Sequence, residues 1–324
     1  MQEFRVTKNE AGQRFDKLLL KYLNLAPKSF IYKMLRKKNI TLNQKKAVGS
    51  EKTAVGDLVQ MFLADETIQK FTEEIHVQKV QADLDIIYED TNILLINKAA
   101  GILSQKAEAN DISVNEHIIS YLIEKKELTS ADMKSFRPAV CNRLDRNTSG
   151  LIAAGKSLTG LQELSRIFKD RTLGKYYRCL VSGQLTDSQI VEGYLYKDEN
   201  NNKVRIVKEM KVNQHENNLP IQTQYTPILA NERYTLLEVK LITGRTHQIR
   251  AHLASIGHPI IGDYKYGDSR VNHYFREKYA IKSQILHSYR LEMPIIYGIL
   301  KNISERIFTA PFPEKYEEVI KGEF

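Results

Sequence analysis

The run Ala139-Val140-Cys141-Asn142-Arg143-Leu144-Asp145-Arg146-Asn147-Thr148-Ser149-Gly150-Leu151-Ile152-Ala153-Ala154 sets a polar turn between two short apolar segments. The turn carries two arginines and one carboxylate. Each apolar segment has the length and composition of a buried strand. Asp145, flanked by Arg143 and Arg146 on a loop between core strands, therefore has a fixed position and a cationic setting that favours its ionised form. The plain structural alternative is a connecting turn whose Asp caps backbone amides.

Outward from this loop the signals are mostly of strands. Asp85 to Asp90 and Ile93 to Lys98 read as two strands around a polar turn, leading into Ala99-Ala100-Gly101-Ile102-Leu103-Ser104. A helix is predicted from Ser113 to Lys125 and another from Ser157 to Asp170, where Leu158, Leu161, Leu164, Ile167 and Phe168 recur at helical spacing. Strands are expected over Gly174 to Gly183, Lys203 to Val207, Gln222 to Leu229 and Tyr234 to Leu241. Gly244-Arg245-Thr246-His247-Gln248-Ile249-Arg250-Ala251-His252-Leu253 then opens a helix with Ile249, Leu253 and Ile256 as its core stripe and Gly257 as C-cap. Strands do not alternate regularly with helices, so a doubly wound sheet is excluded. The expected class is α+β, built on a mixed, largely antiparallel sheet with flanking helices.

A chain of 324 residues is long enough for two domains, one with a sizeable core. No apolar run is long enough to span a bilayer, and the N-terminus lacks a signal-peptide pattern. Cys141 and Cys179 form no CxxC pair, which suggests reduced thiols and a cytoplasmic setting. The net charge is +9, and its distribution is the informative part. Residues 1–65 hold ten Lys and three Arg against six acidic residues, a net of +7, so the remaining chain is near neutral. A small basic unit on a near-neutral body suggests a polyanion-binding appendage on an enzyme.

Within that unit, Phe15, Leu18, Leu19, Tyr22 and Leu23 mark a short amphipathic helix. A second helix begins near Pro27, a residue suited to a first helical turn. Phe30, Ile31, Met34 and Leu35 share one face of it, and Lys28, Lys33, Arg36 and Lys37 lie mostly off that face. The result is a basic surface suited to phosphates. Ile40 to Asn43 and the segment from Val55 to Val59 add strand signals. Residues 66–82 show no strong apolar period and are expected to be a linker, giving domains at 1–65 and 83–324.

Arg143-Leu144-Asp145-Arg146-Asn147-Thr148-Ser149-Gly150-Leu151 resembles the signature of the RluA/RluD group of pseudouridine synthases. Matching segments follow in the same order over nearly the whole chain. They include Ile93 to Ser104, Gly174 to Gly183, Gly244 to Leu253, and His258-Pro259-Ile260-Ile261-Gly262-Asp263 with Tyr266-Gly267. The resemblance implies the pseudouridine synthase fold. It also implies that Asp145 is the nucleophile, that Tyr177 rather than Tyr176 packs against the target base, and that Arg250 pairs with Asp145. Arg143 is then expected to fill the space left by an extruded uridine, with Arg146, Arg245 and His247 also contacting RNA. Residues 1–65 resemble the RNA-binding module of ribosomal protein S-four type, through Arg14-Phe15-Asp16-Lys17-Leu18-Leu19, Ser29, Ile31, Lys33, Arg36, Ile40, Leu42, Asn43 and Gly56-Asp57. That likeness implies RNA contacts by Arg14, Lys28, Lys33, Arg36 and Lys37. One departure stands at Asn142, where many relatives have His; Asn keeps hydrogen-bonding capacity but does not titrate near neutrality.

The implied reaction isomerises a uridine in structured RNA. The bond from ring nitrogen 1 to the sugar breaks, the uracil turns, and carbon 5 is joined to the sugar in its place. No cofactor or metal is required. A stacked uridine must first be extruded, at a cost of a few kcal/mol. Large-subunit ribosomal RNA is the expected partner, with transfer RNA as the other possibility, and the chain is expected to act as a monomer. His247, His252 and His258 do not have the spacing of a metal site on one helical face. Two other functions compete. A catalytically silent RNA-binding ribosome-assembly factor is disfavoured by the joint presence of Asp145, Tyr177 and Arg250. An NTPase is suggested by Gly150 to Ser157, a formal GxxxxGK[ST] match. In that match, however, Leu151 to Ala154 is itself a strand candidate where a loop is needed.

Overall fold

A computed structural model describes residues 1–73, 80–129, 132–197, 204–207 and 219–324. The N-terminal unit consists of β1 (Gln2–Arg5), α1 (Phe15–Tyr22), α2 (Lys28–Arg36), β2 (Ile40–Leu42), β3 (Lys45–Lys46), β4 (Leu58–Met61) and α3 (Asp65–Lys70). Its strands form an antiparallel sheet in the order β1-β4-β2-β3. The β2–β3 hairpin closes through Asn43 and Gln44, both at positive φ, as a two-residue turn matched to strand twist requires. Phe15, Leu18, Leu19, Ile31 and Leu35 are buried with Ile40 and Val59 in one core. Each such side chain contributes about 1.5–3 kcal/mol by leaving water. Pro27 is the N-cap of α2 and stands just outside the first turn.

The expected linker departs from expectation at its start. Residues 65–70 are helical, Ile68 is buried in the N-terminal core, and the Phe71 ring packs tilted against Phe30, centroids 4.4 Å apart. A helix of six residues is too short to show an apolar period, which is why the sequence pattern missed it. Residues 74–79 of the expected linker lie outside the described residues.

The remaining elements are β5 (Ile86–Glu89), β6 (Ile93–Lys98), α4 (Val114–Glu124), β7 (Ala139–Val140), β8 (Ser149–Gly155), α5 (Leu158–Asp170), β9 (Gly174–Ser182), β10 (Gln189–Lys197), β11 (Val204–Val207), β12 (Leu219–Ala230), β13 (Tyr234–Leu241), α6 (Gln248–Ser255), α7 (Ser269–Tyr279), β14 (Leu286–Glu292), β15 (Ile307–Thr309) and α8 (Glu314–Glu323). Lys203, expected to begin the β11 strand, lies outside the described residues. Among the described residues these strands form one eleven-stranded sheet. Its main order is β11-β10-β12-β13-β9-β14-β8-β6-β5, with β7 on β8 and β15 on β14. The β14–β8 pair is parallel and the others are antiparallel, so the class is α+β with a mixed, largely antiparallel sheet. No helix among the described residues is long and apolar enough to cross a membrane.

Strand β8, which carries the loop of Asp145 at its start, is buried at every residue. Leu151 and Ala153 face a core with Leu164 and Ile167 of α5, while Ile152 and Ala154 face one with Val114, Ile118 and Leu122 of α4. Because both faces are covered, the strand reads as a continuous apolar run. Helix α4 starts in a capping box between Ser113 and Glu116, and α5 starts on Ser157, whose hydroxyl accepts the Gly160 N–H. Gly150 has φ of 107°, and a Cβ there would stand 2.2 Å from the Ser288 carbonyl oxygen of β14. Only glycine permits the close pairing that begins at this point. Elements beyond residue 267, and β10, went unread in the sequence; β14 among them lies near the middle of the sheet.

Candidate active site

Asp145 sits in the loop joining β7 to β8, and buried hydrogen bonds hold that loop on both sides of it. Cys141 donates its N–H to the Ala153 carbonyl (2.7 Å), and the Asn142 Oδ1 accepts the Ala153 N–H (2.8 Å). The Ser104 hydroxyl accepts the Leu144 N–H (3.0 Å) and donates to the Leu144 carbonyl (2.8 Å). Lys98, at the end of β6, donates to the carbonyls of Ala99, Ile102 and Arg146 at 2.8, 2.9 and 3.0 Å. Burial pushes the Lys98 ammonium down to about 8, with the nearby Asp145 charge opposing. Asn142 thus ties the loop to β8 without a titrating group.

Arg250, near the start of α6, binds two carboxylates at once. Its Nη1 donates to Asp145 Oδ2 at 2.9 Å, while Nε and Nη2 donate to Asp263 at 2.7 and 3.0 Å. Asp263 is fully buried and also accepts the N–H groups of Lys265 (2.9 Å) and Tyr266 (3.1 Å). Burial acts to lower the Arg250 pKa, but the hydrogen bonds and charges of Asp263 and Asp145 outweigh it and raise the value above the usual arginine range. The guanidinium is a permanent, oriented cation. Oδ2 of Asp145 is anchored, and Oδ1 has no hydrogen-bond partner among the described residues. With 26 % of its side chain exposed, the carboxylate can meet a ligand.

His247, in the left-handed conformation at the N-cap of α6, places Nε2 3.9 Å from Asp145 Oδ2 and Nδ1 3.0 Å from the Tyr266 hydroxyl. That hydroxyl also accepts the Val204 N–H (3.0 Å), which ties the His247 ring to β11. Burial lowers the His247 pKa against the opposing charge of Asp145, favouring the neutral ring. Tyr177 of β9 is buried at the same cleft, and desolvation pushes its phenol up to about 12, so it stays protonated at neutral pH. Tyr176 lies on the opposite face of β9, its ring 4.0 Å from the Arg290 guanidinium carbon.

These side chains line a cleft of about 680 Å³. Of the residues singled out in the sequence, the structure brings Asp145, Arg143, Arg146, Tyr177, Arg245, His247 and Arg250 to it. The pairing of Arg250 with Asp145 that the resemblance implied is present, while the cationic setting expected from the flanking arginines is corrected. Arg143 and Arg146 are exposed, and among the described residues neither bonds to Asp145, whose partner is Arg250, 105 residues away in sequence. Side chains next to one another on a loop diverge, so adjacency in sequence misled. Asp263, Lys98 and Ser104 went unassigned because a turn Asp, a strand-end Lys and a loop Ser carry no periodic signal.

The basic residues of the N-terminal unit do not line this cleft. Lys28, Lys33, Arg36 and Lys37 are exposed on and just after α2. Arg14 differs from the free cation expected. Its Nε and Nη2 donate to Asp16 at 3.0 Å each, and Tyr32 donates to the same carboxylate at 2.7 Å. The hydrogen bond from Arg14 leads the causes that hold Asp16 down at about 2.

Among the described residues no three His, Cys, Asp or Glu side chains converge as a metal site. His252 is bonded to the Thr223 hydroxyl and His258 to the Ser182 carbonyl, both at 2.9 Å. The nucleotide-loop match fails on structure. Residues 149–155 are strand β8, and Lys156 is ion-paired to Glu89 and Glu127.

A family model described as RNA pseudouridylate synthase matches residues 92–255. The ribosomal large subunit pseudouridine synthase C of Vibrio parahaemolyticus is 31% identical, over 98% of this chain and 95% of that relative. The protein of the same name from Escherichia coli is 33% identical, over 81% of this chain and 79% of its own length. Among solved structures, human RNA pseudouridylate synthase domain containing 4 superposes with a TM-score of 0.57 at 19% identity, covering 73% of this chain and 91% of that one.

Proposed function

This chain belongs to the RNA pseudouridylate synthase family, and on that premise we propose that it converts specific uridines of large-subunit ribosomal RNA to pseudouridine with Asp145 as nucleophile. One observation carries the assignment of the residue: a partly exposed carboxylate at the floor of a 680 Å³ cleft, one oxygen held 2.9 Å from a buried, doubly paired guanidinium and the other unpartnered among the described residues. The choice of ribosomal RNA rests on relatives named for the large ribosomal subunit that align over nearly the full chain.

Each neighbouring group has a part in this reading. The isomerisation moves the sugar bond from ring nitrogen 1 to carbon 5; the carbon 5 proton is lost and nitrogen 1 gains one. Asp145 acts as a carboxylate nucleophile, and Arg250 fixes Oδ2, which leaves Oδ1 to attack. Asp263 positions Arg250. Tyr177 stacks on the extruded base and, protonated, is available to exchange a proton. Arg143, exposed at the rim beside Asp145, enters the space the uridine leaves, and Arg146, Arg245 and His247 contact the strand. The N-terminal unit, about residues 1–65, serves as an S-four-type RNA-binding module through Lys28, Lys33, Arg36 and Lys37, with Arg14 held by Asp16. The protein works in the cytoplasm as a monomer, in keeping with its free thiols at Cys141 and Cys179.

The substrate is tested by mapping pseudouridines in ribosomal and transfer RNA from cells with and without the protein. Loss confined to large-subunit ribosomal positions is expected. Unchanged ribosomal RNA with loss in transfer RNA would overturn the assignment of substrate.

A further inference from the structure

Most buried or half-buried cations of the catalytic unit meet acceptors or an aromatic face; Arg178, whose buried Nε has no hydrogen-bond partner, lies 4.4 Å from the Tyr289 ring centroid. Lys98 meets three carbonyls, Lys156 two carboxylates, and Arg250 two more. Two cations lining the active-site cleft break this pattern. Lys175, at the start of β9, makes no hydrogen bond or ion pair among the described residues; burial lowers its pKa, and the charge that adds to the effect is another cation, Arg171. Arg245 has a buried Nε without a hydrogen-bond partner. The nearest catalytic carboxylate, Asp145, is committed to Arg250 and faces His247. Unneutralised charge in a partly desolvated wall is costly and is relieved by an anion.

Position indicates which anion. On β9, Lys175 and Tyr177 point to the same face, about 6.6 Å apart along the strand. Gly244 lies opposite; its φ is not in the left-handed region, yet a Cβ there would stand 3.4 Å from Lys175 Nζ. Its bare backbone keeps the approach to the ammonium open. Lys175, one side-chain step from the stacking ring, and Arg245, next to Gly244 in the same cleft wall, match a strand whose base lies on Tyr177 and whose backbone passes the rim. Lysine and arginine without a neighbouring acceptor suit a phosphate rather than a base edge.

We propose that Lys175 and Arg245 form a phosphate subsite that takes one of the two phosphodiesters flanking the extruded uridine. This inference rests on the reading of the cleft as the uridine site. It is tested by binding alone, so that it stands or falls separately from turnover. The full chain and its Lys175→Met, Lys175→Arg and Arg245→Met variants are titrated with a synthetic RNA stem-loop holding one uridine, in its loop. Each flanking phosphate is replaced in turn by a neutral methylphosphonate. For the unaltered chain, one of the two replacements is expected to raise Kd roughly tenfold, the effect of losing a charge-assisted contact. Lys175→Met and Arg245→Met bind the natural stem-loop more weakly and lose most of their sensitivity to that replacement, while Lys175→Arg keeps it. The proposal is overturned if neither replacement changes the Kd of the unaltered chain, or if both Met variants keep its full sensitivity. Thermal melting of each variant separates this pattern from misfolding. Absence of pseudouridine formation by the unaltered chain would instead strike the functional reading and leave these Kd ratios to judge the subsite.

Discussion

Asp263→Asn is the perturbation that most sharply separates positioning from mere stability. The carboxylate is fully buried, takes two hydrogen bonds from Arg250 and two from the backbone N–H groups of Lys265 and Tyr266. The amide keeps the shape but removes the charge and turns one acceptor into a donor facing donors. Breaking a buried pair in this way costs about 3–5 kcal/mol. For a protein of this size that corresponds to a fall of roughly 10 °C in melting temperature. Arg250 then keeps Asp145 as its sole carboxylate partner and loses the clamp that aims Nη1. A displacement of about 1 Å at a reacting carboxylate can cost on the order of a hundredfold in rate, so kcat should fall by that order while KM for RNA changes little. The assay is tritium release from RNA labelled at uridine carbon 5, run well below the variant's melting temperature. Leu164→Ala is the control, because Leu164 is fully buried in a core that contains neither Arg250 nor Asp145. It should lose a comparable 2–5 kcal/mol of stability and keep kcat. The reasoning is refuted if Asp263→Asn retains kcat within about twofold, or if Leu164→Ala loses as much.

Three further outcomes follow from the same geometry. Tyr177→Phe keeps the ring and should leave KM nearly unchanged while lowering kcat, whereas Tyr177→Ala loses about 1–3 kcal/mol of base stacking and should raise KM at least severalfold; equal KM effects would contradict a stacking role. His252 and His287 are both buried, and desolvation holds each at about 4 in the folded state against about 6.5 unfolded. The unfolded chain therefore takes up protons first as pH falls from about 6.5 towards 4, and stability is lost over that window, by roughly 2 kcal/mol per histidine at pH 5. Urea unfolding at pH 7 and pH 5 should show the loss, reduced in His252→Gln; equal stability at both would refute it. Replacing Lys28, Lys33, Arg36 and Lys37 by Gln should flatten the slope of log binding constant against log salt by about 3. An unchanged slope would mean that RNA does not run over that helix face.

What the sequence made legible, and what it hid, follows from the kind of interaction involved. Helices α4 and α5 were readable because their caps and apolar spacing are local. Strand β8 was readable because both of its faces are covered. Strand β14 was not: Leu286-His287-Ser288-Tyr289-Arg290-Leu291-Glu292 looks polar, yet His287 and Ser288 are buried, and His287 bonds Ser149 at 2.9 Å. Burial obtained through a hydrogen bond leaves no hydrophobic trace. At the site, the Asp145–Arg250 pair was implied by family resemblance and not by spacing, since it joins residues 105 apart. Asp263, the second carboxylate on Arg250, has the look of an ordinary turn residue and emerges once the chain is folded.

The central claim concerns the carboxyl group of Asp145, and the most direct measurement is tritium release by purified Asp145→Asn. Asn preserves the size of the side chain and its contact with Arg250 through an oxygen, but it lacks a nucleophilic charge. The account predicts that the unaltered chain releases tritium from carbon-5-labelled ribosomal RNA, and that Asp145→Asn, folded and still binding that RNA, releases none above background. Sustained release by the Asn variant would contradict it.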